Sequence, residues 1–200
     1  MFIFYFLMAS LMASDSFCVW PETPKKSQTL QVEGISLVGK QKPFTIKLRF
    51  LGPGEFLLFC QEKGLSHKLL NSEKVKEKFA KWFSVECKVV NYSNERIYIN
   101  PSQIMVQNHK EPVGTLVEPG FFLTRLAGPE NGHFQAISGL FDQSSMEVPA
   151  GETRTRVVTF RPIGDAFPMQ TLNFIIDYIY VGIENYPLKG RISLKPCATQ

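Results

Sequence analysis

FSVECKVVNYSNERIYINPSQIMV, residues Phe83 to Val106, reads as strand, polar turn, strand, short interruption, strand. Phe83, Val85, Cys87 and Val89 alternate with Ser84, Glu86 and Lys88. Successive side chains of a strand point to opposite faces, so this run has one apolar and one polar face, the pattern of a half-buried antiparallel strand. Asn91-Tyr92-Ser93-Asn94-Glu95 follows, rich in side chains that hydrogen-bond nearby backbone and favour turns. Arg96 to Ile99 resumes the alternation with Ile97 and Ile99 on one face, and Asn100-Pro101-Ser102 interrupts it, because proline brings no N–H to a ladder. Gln103 to Val106 forms a further strand, ended by Asn108-His109-Lys110-Glu111-Pro112. The recurrence of apolar residues at every second position argues against a helix anywhere in the stretch.

Upstream, Thr29–Val38 and Phe44–Leu51 read as strands joined by a turn at Gly39-Lys40-Gln41-Lys42-Pro43. In the second, Phe44, Ile46, Leu48 and Phe50 face one way and Thr45, Lys47 and Arg49 the other. Gly52-Pro53-Gly54 reads as a turn, and Glu55–Cys60, apolar on both faces, as a deeply buried strand. Asn71–Phe83 breaks the pattern: Val75, Phe79 and Trp82 have helical spacing, Asn71 or Ser72 offers an N-cap, and Glu77 with Lys81 forms an i, i+4 pair. This predicts one short amphipathic helix with Lys74, Lys76, Lys78 and Lys81 on its exposed side. Downstream, Val113–Gly151 is irregular, with Phe121, Phe122, Phe134 and Phe141 among its turn residues. Long irregular connections in compact domains are often functional. These aromatics have three competing roles: covering the core, lining a ligand cleft, or meeting another protein. Val148-Pro149-Ala150-Gly151-Glu152-Thr153 reads as a turn into a strand at Arg154–Phe160. Leu172–Val181 reads as one strand with Leu172, Phe174, Ile176, Tyr178 and Tyr180 on a single face, followed by a last strand over Tyr186–Leu194.

The 200 residues, 44% apolar and 20% charged, supply a core for one domain and argue against disorder. The net charge of +4 is uneven: Lys25–Asn100 holds fourteen Lys/Arg against seven Asp/Glu, and Pro101–Gln200 eight against nine. Such asymmetry suits an anionic surface, but a lysine-rich soluble exterior is the simpler account. Met1–Met12 is almost wholly apolar and leads into Ala13-Ser14-Asp15-Ser16, the pattern of a secretory leader cut before Phe17. A buried first strand or core helix is the competing reading. The apolar run is too short for a full membrane span. The expected organisation is a leader over 1–16, a linker over 17–27, a β domain over 28–195 and a tail over 196–200.

Export gives the four cysteines meaning. In an oxidising compartment the favoured pairs are Cys60 with Cys87, both on apolar strand-like runs, and Cys18 with Cys197, near the two ends. A bridge between the ends would be worth roughly 3–5 kcal/mol. Four separate thiols are the alternative. No two cysteines have the close spacing of a zinc site or dithiol redox motif.

The Val89–Ile97 strand with its polar hairpin, Asn100-Pro101-Ser102, the Val148–Thr153 turn and the closing pair of strands together resemble the immunoglobulin-like β-sandwich domains of secreted and cell-envelope proteins. The resemblance spans roughly residues 83–195 and implies an all-β, antiparallel immunoglobulin-like sandwich carrying one short helix and one long irregular loop. Leu172–Val181 lacks the cysteine of an antibody-type inter-sheet bridge.

The motifs of chemistry are missing. His67, His109 and His133 are dispersed, with no metal-like partners at short spacing. Ser138-Gly139 with His133 and Asp142 lacks the nucleophile elbow, and Gly128-Pro129-Glu130-Asn131-Gly132 lacks the lysine of a phosphate loop. Asn91-Tyr92-Ser93 matches a glycosylation sequon. The expectation is an exported, non-enzymatic binding or structural protein with no cofactor, a protein partner, and an anionic membrane surface as a second partner. Nucleic acid is not expected, since the aromatics alternate as core residues rather than interleaving with the lysines. The candidate interaction surface is Phe121, Phe122, Phe134, Phe141, Lys74, Lys76, Lys78 and Lys81. The runner-up is an enzyme or small-ligand carrier with its site in residues 113–151.

Overall fold

The computed structural model describes residues 17–20, 29–79, 81–100, 103–108, 111–122, 134–163 and 171–196; for 17–20, 53, 134 and 194–196 it describes the backbone alone. Fifteen strands and five helices lie among them, and the strand pairings are antiparallel. The protein is mostly β, as expected, with more helix than the sequence reading placed.

The stretch that opened the reading forms β5 (Phe83–Asn91), β6 (Ile97–Ile99) and β7 (Ile104–Asn108). β5 lies in a six-stranded sheet. One neighbour is β4 (Phe44–Leu51), which continues to β3 (Ser36–Lys40) and β2 (Gln31–Glu33); the other is β11 (Thr153–Pro162), which continues to β9 (Gly114–Leu116). The expected single strand over Thr29–Val38 is in fact a hairpin, turned at Gly34, whose φ of 59° is a left-handed conformation that glycine adopts without steric cost. The turn before β11 is as expected, with Glu152 N–H donating to Pro149 O at 3.1 Å.

Two further sheets have no strand in common with the six-stranded sheet or with each other. The five-stranded sheet runs β1 (Phe17–Trp20), β15 (Leu188–Pro196), β12 (Thr171–Ile176), β7, β8 (Glu111–Pro112). The four-stranded sheet runs β10 (Met146–Val148), β6, β13 (Ile179–Val181), β14 (Glu184–Asn185). Phe17–Trp20 is therefore paired in a sheet, with Phe17 opposite Pro196, and is not linker. The expected continuous strand over Leu172–Val181 breaks at Asp177-Tyr178, and the break changes both sheet and face. Leu172, Phe174 and Ile176 are buried, but so are Ile179 and Val181, whereas Tyr178 and Tyr180 are 42% and 41% exposed. Inserting an odd residue into a period of two sends every later side chain to the opposite face. Asn185 closes the gap: its Oδ1 accepts from Ile179 N–H at 3.1 Å and its Nδ2 donates to Asp177 O at 3.2 Å.

The inner faces of these sheets share one core. Ile46, Leu48, Phe50, Val85, Cys87, Val89, Val158 and Phe160 meet Ile97, Ile99, Val106, Leu172, Phe174, Ile176, Ile179 and Ile192, all but buried. Phe50 and Phe174 meet edge to face with centroids 5.2 Å apart, the favoured aromatic geometry. A second core lies on the outer face of the six-stranded sheet, where Leu51 and Val157 are covered by five helices: α1 (Pro53–Glu62), α2 (His67–Leu70), α3 (Glu73–Phe79), α4 (Pro119–Phe122) and α5 (Phe134–Leu140). α3 is the predicted helix, with Val75 and Phe79 buried and the Glu77–Lys81 pair formed at 3.2 Å. α1 overturns the strand expected over Glu55–Cys60. A short apolar run does not by itself separate strand from helix. Here the flanks decide: Pro53 opens the helix and the Glu55 carboxylate accepts from Gly52 N–H at 3.0 Å, satisfying a donor that the helix start leaves open.

Leu30, fully buried, crosses the edge where the sheets approach. A Cβ on Gly190 would lie 2.4 Å from Leu30 Cβ, and one on Gly39 would lie 2.8 Å from Leu30 Cδ2. Gly190→Ala is therefore expected to lower stability by about 1–3 kcal/mol through overpacking, measured as a fall in the urea midpoint; an unchanged midpoint would contradict this close approach.

Candidate functional site

The helical layer is anchored by Arg49. Its Nε donates to Glu86 at 2.8 Å, directly across the β4–β5 pair, and its Nη1 donates to Glu55 at 2.7 Å in the first turn of α1. The Glu86 hydrogen bond, opposed by partial burial and aided by Glu55, holds the guanidinium charge above its ordinary pKa. A sheet residue thus sets where α1 begins. α2 starts at Ser66, whose Oγ accepts from Leu69 N–H at 3.3 Å.

Between α1 and α2 lies an open groove of about 410 Å³, lined by Gly54, Glu55, Leu57, Leu58 and Gln61 from α1, by His67 and Leu70 from α2, and by Asn71 at the end of α2. Leu58 is 62% exposed, whereas Leu70 is buried beneath it in the layer's core. Asn71 Nδ2 lies 2.7 Å from His67 Nδ1 and 2.9 Å from its Nε2, which sets the two side chains together on one wall. The groove is a mainly apolar trough with hydrogen-bonding groups on both walls, a composition suited to anchoring an apolar segment. His67 is therefore a helix residue on the groove; His109 and His133 lie outside the described residues.

The predicted interaction surface does not assemble. Phe122 and Phe141 are 0% and 3% exposed, with ring centroids 5.0 Å apart and Trp82 against both. They are core residues of the helical layer, placed there because α4 and α5 close over the outer face of the sheet. Phe121 is partly buried, with the Arg161 guanidinium 4.6 Å above its ring, and the Phe134 side chain lies outside the described set. Of the lysines, Lys74 is exposed, Lys76 and Lys78 are half-buried, and Lys81 bridges to Glu77. Glu73 and Glu77 on the same helix offset much of their charge. The runner-up's Asp142 is occupied as well. Partial burial opposes its ionisation, but hydrogen bonds from Ser144 and the nearby Arg156 charge outweigh it and hold the carboxyl below its ordinary pKa.

The disulfide expectation is also corrected. Cys60 lies in the helical core and Cys87 in the inner core, both as free thiols, so the six-stranded sheet stands between them. Burial pushes both thiols up, Cys87 to about 12. Cys18 sits in β1 opposite Lys195, and Cys197 lies outside the described residues, so the second expected pair does too. Among the described residues no group of three or more His, Cys, Asp or Glu is placed to hold a metal ion, and no helix is long and apolar enough to cross a membrane.

The sequon has a different role from the one its letters suggest. Asn91 is 1% exposed. Its Nδ2 donates to Glu95 O at 2.7 Å and to Val148 O and Pro149 O at 3.0 Å, while its Oδ1 accepts from Ser93 N–H at 2.9 Å and Ser93 Oγ at 2.7 Å. The polar hairpin after β5 and the turn before β11, separate motifs in the sequence, are joined by this one amide. The sequence reading missed the groove because Glu55–Cys60 was read as strand, although Gly52-Pro53 with Glu55 was a helix-start signal. It missed the exposure of Tyr178 and Tyr180 because Leu172–Val181 was read as one unbroken strand.

Neither a model of a known protein family nor a curated protein sequence matches the chain. The site therefore rests on its geometry.

With its Nδ2 engaged and buried, Asn91 is expected to carry no glycan in the folded protein: after expression through a eukaryotic secretory pathway, peptide-N-glycosidase should leave the mass unchanged. Asn91→Ala, which removes the amide that donates to the Glu95, Val148 and Pro149 carbonyls, is expected to cost about 1–3 kcal/mol in chemical denaturation. A glycan on Asn91 in folded material, or a cost near zero, would contradict this assignment.

Proposed function

We propose that this is an exported, non-enzymatic binding protein of the cell envelope or extracellular space, built on an immunoglobulin-like sandwich, and that it holds a protein partner through its helical layer. The observation that carries the reading is the open groove between α1 and α2, with Leu58 62% exposed on a layer whose other described large apolar side chains are buried or half-buried. An isolated exposed leucine is ordinary, but one on the wall of an apolar trough offers a ready anchor point. The sandwich reading is supported by the five- and four-stranded sheets, whose inner residues share one core with those of the six-stranded sheet.

Export is supported by the apolar Met1–Met12 run and its small-residue exit. A cut before Phe17 would leave β1, which begins at Phe17, whole. The alternative, an enzyme or small-ligand carrier with its site in residues 113–151, is less favoured, because Phe122 and Phe141 of that segment turn into the core and Asp142 is engaged by Ser144 and Arg156.

N-terminal sequencing of the protein recovered from cell fractions is expected to begin at Phe17 in an exported fraction; an intact leader on cytoplasmic material would overturn the export reading. The groove is tested with the apolar dye anilinonaphthalene sulfonate. Leu58→Asp is expected to lower its emission severalfold with the circular dichroism unchanged, and equal emission from both proteins would count against the groove as a binding surface.

A further inference from the structure

Lys47 on β4 and Lys88 on β5 stand directly opposite each other on the outer face of the six-stranded sheet, and both are exposed. Like charges facing each other across a strand pair cost stability, so folding alone does not favour this arrangement. The other described cations of the same sheet are compensated. Lys40, Arg49, Arg154 and Arg156 each hold a carboxylate, and Arg161 lies over the Phe121 ring. Among the described residues no carboxylate pairs with Lys47 or Lys88, and Glu86, beside Lys88 on the same face, is taken by Arg49.

This uncompensated pair adjoins the α1–α2 groove. Arg49 follows Lys47 on the same face of β4, a step of about 7 Å along the strand. Its guanidinium holds Glu55, which lines the groove. One strand step and one ion pair therefore separate the lysines from the groove wall. An occupant that spans both surfaces needs apolar groups against Leu57, Leu58 and Leu70 and negative charge over the lysines. Nucleic acids and acidic glycans carry the charge but have no apolar run for the trough. An anionic lipid carries both, but the groove is open and presents Gln61, His67 and Asn71. Those groups can hydrogen-bond a peptide backbone, whereas an acyl chain would desolvate them without return.

We propose that the partner docks through a polypeptide segment in which an apolar run adjoins acidic residues, the run seated in the groove and the carboxylates over Lys47 and Lys88. This rests on the groove being a binding site and adds the chemistry of what binds there.

The test is selection on the full chain from a displayed library of random peptides about twelve residues long, a reach of about 40 Å when extended. Peptides selected on the wild type are expected to carry an apolar run beside Asp or Glu, and Leu58→Asp is expected to abolish their binding. Lys47→Glu with Lys88→Glu is expected to weaken it roughly tenfold in fluorescence anisotropy, with circular dichroism unchanged because both side chains are exposed. If that variant unfolds, Lys47→Gln with Lys88→Gln replaces it, with a smaller loss expected. Peptides that need Leu58 but lack acidic residues and ignore both lysine substitutions would overturn the inference and leave the groove reading standing. Recovery of no Leu58-dependent peptide would overturn both. Co-sedimentation with phosphatidylglycerol vesicles that depends on the same lysines would assign them to a lipid and likewise overturn the inference.

Discussion

Between Phe83 and Asn91 the backbone is paired along both edges, to β4 over Ser84–Asn91 and to β11 over Phe83–Val90. The side chains of that one strand serve separate interiors. Val85, Cys87 and Val89 enter the core shared with the other sheets, while Ser84, hydroxyl to hydroxyl with Thr159 at 2.9 Å, lies buried on the opposite side near the helical core. A strand with period-two side chains has two faces and no more, so each element of the protein is placed by which face it covers.

The covering elements differ in how they are held. The five- and four-stranded sheets are held by aromatic and branched side chains of the shared core, and each large aromatic buried there is worth on the order of 3–5 kcal/mol if truncated. The helical layer has a core of its own in Phe56, Phe79, Trp82, Phe122 and Phe141, but its position is set by Arg49, which reaches from the sheet to α1. Part-exposed ion pairs contribute little to stability, so Arg49 acts mainly as a locator. Asn91 does the corresponding work at the other end of β5, where one buried amide joins a hairpin and a turn that lie far apart in the sequence.

Much of this was legible in the sequence. The alternation in Phe44–Leu51 and Phe83–Val106 placed the strands and their buried faces, and the Val75, Phe79, Trp82 spacing placed α3. The rest was hidden for physical reasons. Glu55–Cys60 is apolar on every side, so its periodicity is silent and only its capping residues mark it as helix. The Asp177-Tyr178 break moves Tyr180 to the outer face by adding one residue, a change that a pattern of alternation reads straight through. Pairing Cys60 with Cys87 required knowing which side of a sheet each occupies, and that is a property of topology. The groove likewise exists only once α1 and α2 are set side by side.

The back-to-back arrangement of two cores is tested most directly by thiol accessibility at Cys60 and Cys87, one in each. With the other two cysteines replaced by serine, native protein at mildly alkaline pH is expected to give no reaction with a thiol reagent, and both sites are expected to label together once denaturant unfolds the chain. A disulfide joining Cys60 to Cys87, or rapid labelling of either one in the native state, would contradict the account.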